Sequence, residues 1–160
     1  AVLHDRGAVL LGEFVLELPP SIFTTMGIWM KVDEALLGSI ADKGFGEAGS
    51  LHALEHAMIA TLPLFALCDR MDLGGVSYPF NPELESAAIF IYDGHEGGVG
   101  LTKRGFDCAK EWFAATRRLM KECPCAVSCP SCPHDPKCGN ANDPLDKRGA
   151  IMILDEWMKE

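Results

Sequence analysis

Residues 123–142 read CPCAVSCPSCPHDPKCGNAN, and this stretch decides how the end of the chain can fold. It holds five of the seven cysteines, Cys123, Cys125, Cys129, Cys132 and Cys138. Its four prolines and one glycine exclude a regular helix or an interior strand. A segment with so few apolar side chains cannot fold by burial alone, so it needs a crosslink, either disulfides or a metal ion.

The composition favours the metal. The 160 residues are 48% hydrophobic and 23% charged, which is ordinary for one globular domain with a sizeable core. The sequence has neither a recognisable secretory signal nor an apolar run as long as a membrane span. We therefore expect a cytoplasmic location without a membrane partner, where clustered cysteines bind metals more often than they form disulfides.

The spacing of the cysteines predicts one structural zinc ion. The first two form a C-x-C pair and the next two a C-x-x-C pair, and each pair can chelate an ion. The predicted ligands are Cys123, Cys125, Cys129 and Cys132. Four thiolates close a zinc site without leaving a water position, so we expect no catalysis by the metal. Cys138 or His134 is an alternative ligand, and disulfides or an iron–sulfur cluster are alternative uses of the same thiols.

Apolar patterns predict an α+β fold with a small, mainly antiparallel sheet and three or four helices. The predicted strands cover residues 12–18, 24–32 and 86–92, and the first two are expected to pair. The predicted helices begin at Ser50 as N-cap, at Pro63, at Leu101 and at Pro144 behind the N-cap Asp143. Residues 41–49, 69–75 and 78–85 are predicted connectors. The cysteine-rich stretch then forms a zinc knuckle between the last two helices.

Residues 93–100, DGHEGGVG, lie between a predicted strand and a predicted helix. A glycine-rich turn in this position can bind a phosphate group. The nucleotide-binding patterns are not satisfied, because Lys103 stands where the third glycine of G-x-G-x-x-G is required. We predict a structural turn that uses positive φ angles, and no ATP hydrolysis by this chain alone.

His52, Glu55 and His56 fit the motif H-x-x-E-H, in which two histidines bind zinc on one helix face and the glutamate acts as a base. A third ligand cannot be identified in the sequence. A stand-alone zinc hydrolase is therefore an alternative function. Otherwise, the histidines belong to a helix that covers a polar or interdomain surface.

The predicted helix over residues 101–121 is the most basic element. Lys110, Arg117 and Lys121 lie near one face of it and are candidates for contact with a DNA backbone. The same charges are also expected on any solvated helix face. The formal net charge of -9 argues against a nucleic-acid surface that depends on bulk charge.

These segments together resemble a known family, the C-terminal zinc-binding domain of MrfA-like DEAD/DEAH-box helicases. The resemblance spans roughly residues 12–155. It rests on CPC, SCPSC and CGN in the cysteine-rich stretch, on the following PLDK, and on LHALEHA (51–57), LCDRMDLGG (67–75) and IYDGHEGGVGL (91–101).

The resemblance implies that the first four cysteines of the stretch bind the metal. It also implies a parent protein that is an ATP-dependent 3′–5′ DNA helicase associated with DNA repair. ATP and Mg²⁺ would be bound by two upstream RecA-like motor domains that this sequence lacks. Residues 1–160 would then be a single non-catalytic C-terminal domain of a larger protein, which packs on the motor and helps guide single-stranded DNA.

Overall fold

A three-stranded antiparallel sheet and the helices around it form most of the described chain. The computed structural model describes the backbone of residues 2–4, 10–13 and 19–159, and the side chains of residues 19–159. The strands are β1 (Val2–His4), β2 (Leu10–Glu13), β3 (Gly27–Val32), β4 (Leu73–Asn81) and β5 (Ser86–Asp93). The helices are α1 (Glu34–Asp42), α2 (Glu47–Thr61), α3 (Pro63–Ala66), α4 (Leu101–Asp107), α5 (Ala109–Glu122) and α6 (Lys147–Trp157). The predicted α+β class is confirmed, with more helices than the three or four expected.

Strand β5 is the centre of the sheet and confirms the strand predicted over residues 86–92. It pairs antiparallel with β3 on one side and with β4 on the other. Ile89 and Ile91 are fully buried in the core. A central strand is covered more completely than an edge strand, which explains its continuous apolar sequence.

The other strands correct two predictions. The predicted pairing of residues 12–18 with residues 24–32 is wrong within the described residues, because β3 pairs with β5 and β2 pairs with β1. Residues 14–18 lie outside the described residues. Residues 73–81 form strand β4 instead of connectors. Pro79 obscures this strand in the sequence, but β4 is an edge strand, where the missing N–H of a proline is tolerated.

Helix α2 runs through the core and is buried on almost all sides, with Leu51, Leu54 and Met58 fully inaccessible. Gly75 of β4 allows the helix to approach the sheet closely. A Cβ atom at this position would lie 2.8 Å from the Cδ1 atom of Ile59. The prediction of Ser50 as N-cap is wrong, since the helix begins at Glu47 and the Ser50 hydroxyl donates to the Gly46 carbonyl within it.

The glycine-rich turn after β5 has the predicted positive φ angles. Gly97, Gly98 and Gly100 have φ angles of 77°, 72° and 90°. The fully buried carboxylate of Asp93 accepts hydrogen bonds from four consecutive backbone N–H groups, those of residues 99–102. The positive end of helix α4 is therefore occupied by an anion from the chain itself.

The predicted helix over residues 101–121 is present but broken at Cys108, which separates α4 from α5. Cys108 is buried, as expected for a structural cysteine, and its thiol donates to the Arg104 carbonyl. Phe106 in α4 is exposed and lies outside the core. Trp112 takes the central place instead, fully buried with its indole N–H donating to the Met58 carbonyl.

Helix α6 begins later than predicted. Asp146, not Asp143, is its N-cap, because its side chain accepts from the N–H groups of Arg148 and Gly149. The same carboxylate accepts from the N–H of Gly46 at the start of α2. One aspartate thus caps α6 and contacts the N-cap residue of α2, which holds the two N-termini together.

Candidate metal centre

The structure brings the four predicted ligand cysteines together at the end of α5. All four Sγ atoms lie within 4.8 Å of one another. The distance is 3.4 Å from Cys123 to Cys129, 3.3 Å from Cys125 to Cys132 and 3.8 Å from Cys129 to Cys132. A zinc ion with Zn–S bonds of about 2.3 Å separates tetrahedral sulfur ligands by about 3.8 Å, whereas a disulfide joins them at about 2.05 Å. The spacing fits a shared metal ion and does not fit disulfides.

The backbone around these cysteines forms the turns that chelation requires. The N–H groups of Cys132 and His134 both donate to the Cys129 carbonyl, at 3.2 and 3.3 Å, and so close the C-x-x-C turn. Cys123 directly follows helix α5 as its C-cap. The first sulfur is therefore positioned by a rigid helix and the last two by a compact turn.

Lys147 at the start of α6 is a residue of this centre that sequence reasoning missed. Its ammonium group is buried and donates to the carbonyl of Cys123, at 2.8 Å, and to that of Cys125. It therefore holds α6 against the C-x-C segment and places a positive charge beside the thiols. The sequence carries only a weak signal for this role, a lysine in the first turn of a helix, where acidic residues are usual.

The thiols differ in acidity. The pKa of Cys129 falls to about 7, chiefly because the Cys123 thiol and the Ser131 backbone N–H donate to its sulfur. Burial raises the pKa values of Cys125 and Cys132. Without an ion, Cys125 and Cys132 are therefore protonated at neutral pH, and a divalent cation would displace these protons on binding.

Cys138 and His134 are not grouped with the four sulfur atoms. The imidazole Nε2 of His134 contacts the Ser128 hydroxyl at 3.1 Å. Cys138 lies instead with the two histidines of the H-x-x-E-H motif, and its Sγ is 3.4 Å from Nε2 of His52.

The H-x-x-E-H motif on α2 faces the cysteine-rich stretch, with His56 buried and His52 half-buried. Nδ1 of His52 lies 2.8 Å from the Pro144 carbonyl, and Nδ1 of His56 lies 2.7 Å from the Pro133 carbonyl. Burial and the neighbouring His52 lower the pKa of His56 to about 4. Burial also raises the pKa of Glu55 to about 7.

Two of the three candidate DNA-contacting residues form internal ion pairs. Arg117 and Lys121 on α5 both donate to Asp155 on α6, the lysine at 3.1 Å. Burial by itself would raise the pKa of Asp155, but these two donors lower it. Lys110 is exposed. The basic face of α5 is therefore partly neutralised and also ties the last two helices together.

The arrangement agrees with a family comparison. A family model described as the MrfA Zn-binding domain matches residues 54–133, half of the chain. This chain belongs to the MrfA Zn-binding domain family. Its four-cysteine cluster lies within the matched residues. The resemblance seen in the sequence is thereby confirmed.

The relatives include one short protein that the match covers almost completely and helicases of which it covers a small part. An uncharacterized protein of Methanocaldococcus jannaschii is 42% identical over 111 residues, which cover 68% of this chain and 99% of that protein. The ATP-dependent helicase YprA of Bacillus subtilis is 29% identical over 76% of this chain and 16% of its own length. The ATP-dependent helicase HRQ1 of Saccharomyces cerevisiae is 26% identical over 85% of this chain and 14% of its own length.

Solved structures give the same picture for the fold. The crystal structure of the DUF1998 helicase MrfA bound to DNA matches with a TM-score of 0.64 at 24% identity, over 95% of this chain and 19% of that chain. The complex of MrfA with DNA and AMPPNP matches with a TM-score of 0.56 at 26% identity, over 94% of this chain and 18% of that chain. The chain thus spans less than a fifth of the helicases it matches.

Two further findings bear on the sequence predictions. The comparisons do not favour the alternative of a zinc hydrolase, since the named relatives are helicases. Among the described residues, the helices are too short or too polar to cross a bilayer.

Proposed function

We propose that this chain is a non-catalytic accessory domain of an ATP-dependent DNA helicase, folded around one structural zinc ion held by Cys123, Cys125, Cys129 and Cys132. The observation that carries the proposal is the placement of four sulfur atoms at tetrahedral spacing between α5 and α6. The family membership supports zinc as the ion.

The zinc ion would set the angle between the last two helices. The segment between Glu122 and Lys147 contains no regular helix or strand, and few of its side chains are buried. A closed set of four thiolates leaves no position for water or substrate, so the ion would act on folding and not on chemistry. Lys147 offsets part of the negative charge of such a site.

The motor activity belongs to other domains in this proposal. The helicase relatives are several times longer than this chain, and ATP and Mg²⁺ would be bound by their RecA-like motor domains. The glycine-rich turn of this chain is unsuited to phosphate, because Asp93 occupies its N–H groups. The domain would pack on the motor of a 3′–5′ helicase that acts in DNA repair.

We further propose that the exposed face of α5 helps guide the single strand. Lys110 is the most available cation of the three candidates. Arg117 and Lys121 would have to exchange Asp155 for a phosphate group, so their contribution would be smaller than that of free cations.

Two assays on the purified 160-residue chain with zinc test the proposal. The chain is expected to hydrolyse no ATP, with or without DNA, and measurable hydrolysis would refute the accessory role. Fluorescence anisotropy with a labelled single-stranded oligonucleotide is expected to report weak, salt-dependent binding that Lys110→Ala reduces. Lys159→Ala, which removes an exposed lysine outside α5, is the control. Equal binding by the wild type and both variants would refute DNA guidance by this face.

A further inference from the structure

Outside the four-cysteine cluster, three side chains of types that bind metal ions lie close together. One ring nitrogen of His52, one of His56 and the Sγ of Cys138 all lie within 4.8 Å of one another. The Cys138 Sγ is 3.4 Å from His52 Nε2. A tetrahedral zinc ion separates a nitrogen ligand from a sulfur ligand by about 3.6 Å. These side chains therefore have the spacing of ligands to one ion.

Both imidazole rings are oriented by backbone carbonyl groups. The Pro144 oxygen lies 2.8 Å from Nδ1 of His52, and the Pro133 oxygen lies 2.7 Å from Nδ1 of His56. A carbonyl oxygen can only accept, so Nδ1 carries the hydrogen in each ring, and the neutral ring then presents a lone pair at Nε2. Histidines that bind metals in proteins are typically held in this manner.

Cys138 is presented by a hydrogen-bonded turn. Its backbone N–H donates to the Asp135 carbonyl at 3.2 Å, and the Asn142 side chain donates to the same oxygen at 3.0 Å. The backbone N–H of Asn142 donates to the Cys138 sulfur at 3.3 Å. An N–H donor favours the thiolate form of a ligand cysteine and holds its sulfur in place.

We infer that His52, His56 and Cys138 form a second zinc site, distinct from the four-cysteine cluster. Two imidazole nitrogens and one thiolate suit zinc and not the oxygen-seeking ions Mg²⁺ and Ca²⁺. The three residues line a cavity of about 240 Å³ together with Glu55 and Ser77. This cavity has room for a water molecule as the fourth ligand.

The second ion would join helix α2 to the far end of the cysteine-rich stretch. The four-cysteine cluster anchors the near end of the stretch at α5. Neighbouring residues of the same turn already contact the sheet and the segment before it, because Lys137 donates to the Leu73 carbonyl of β4 and Asp135 pairs with Arg70 at 3.3 Å. Two ions would therefore crosslink this stretch to α5 and to α2, which is a role in assembly of the fold.

Metal content and X-ray absorption of the wild-type 160-residue chain, purified with reductant and zinc, test the inference without any substitution. We expect two zinc ions per chain and an average of about 2.5 sulfur ligands per ion, the remainder being nitrogen or oxygen. One ion with four sulfur ligands would overturn the second site and leave the proposed function intact. One ion with one sulfur ligand and two imidazole ligands would support the second site and contradict the proposed four-cysteine zinc site.

Variants locate the second ion. Cys138→Ser and His56→Gln are each expected to lower the content from two ions to one and to raise the average sulfur count of the remaining ion to four. Cys68 belongs to neither cluster, so the control variant Cys68→Ser is expected to retain both ions. If Cys138→Ser and His56→Gln both retain two ions with unchanged absorption, the inference is wrong.

Discussion

Neutralising Asp93 tests whether the glycine-rich turn is structural. One carboxylate oxygen accepts from the N–H groups of Val99, Gly100 and Leu101, at 2.8, 2.7 and 3.1 Å. The other accepts from the N–H and the hydroxyl of Thr102, both at 2.8 Å. In Asp93→Asn, an NH₂ group must replace one oxygen and face hydrogen-bond donors.

The expected cost can be worked from these contacts. If the asparagine oxygen keeps the three donors, the N–H of Thr102 loses its partner, while its hydroxyl can reorient. A buried donor left unsatisfied costs about 1–3 kcal/mol. Loss of the negative charge at the N-terminus of α4 adds about 0.5–1 kcal/mol, and the weaker neutral bonds add a similar amount. We therefore expect the free energy of unfolding to fall by about 2–5 kcal/mol.

Urea denaturation followed by circular dichroism measures this change, with zinc present throughout. Glu96→Gln is the matched control, because it neutralises an exposed carboxylate in the same turn and should change stability by less than about 0.5 kcal/mol. A fall of less than 1 kcal/mol for Asp93→Asn, equal to that of the control, would refute the structural account of the turn.

The pH dependence gives an independent measure of the same contacts. Burial alone would raise the pKa of Asp93, but the N–H and hydroxyl donors, led by Thr102, lower it. The stability it contributes is present above the unfolded-state pKa of about 3.9 and is lost as the pH falls through the lower folded-state value. Asp93→Asn should therefore lose less stability than the wild type on acidification below pH of about 4.

Three further predictions concern the end of the chain. Removal of zinc by a chelator should lower the melting temperature, measured by calorimetry, by about 10 °C or more. An unchanged melting temperature after verified metal loss would contradict the structural role of the zinc ion. Lys147→Met leaves the carbonyls of Cys123 and Cys125 without their buried donor, so urea denaturation should show that the free energy of unfolding falls by about 2–3 kcal/mol. The control Arg148→Met changes an exposed side chain and should leave the free energy of unfolding nearly unchanged. Asp155→Ala releases Arg117 and Lys121 from their ion pairs, with a stability cost below about 1 kcal/mol. Fluorescence anisotropy at low salt should therefore report several-fold tighter binding of single-stranded DNA, and unchanged binding would count against this face as a DNA contact.

Local sequence signals account for much of the fold. The apolar run of β5, the end of α2 before Pro63 and the glycine-rich turn all depend on neighbouring residues, and all are found where predicted. Predictions failed where distant residues decide the outcome. Pro79 suggested a loop, but it is compatible with β4 because that strand lies at the sheet edge.

Helix starts show the same limit. Ser50 and Asp143 are both good N-caps by residue type. The chain uses Gly46 and Asp146 instead, because the Asp146 carboxylate can accept from the N–H of Gly46 and from the first N–H groups of α6 at once. That choice depends on the packing of two helices about a hundred residues apart, which the sequence does not reveal.

The cysteine-rich stretch divides along the same line. The sequence by itself predicted the grouping of Cys123, Cys125, Cys129 and Cys132, because two cysteine pairs separated by only three residues lie close together in any fold. Only the tertiary structure decided the place of Cys138, whose sulfur meets His52 across 86 residues of chain. The contact exists because α2 packs beneath the stretch and the Pro133 and Pro144 carbonyls turn both histidines towards it. Short-range spacing therefore brings the first group of side chains together, and long-range packing brings together the second.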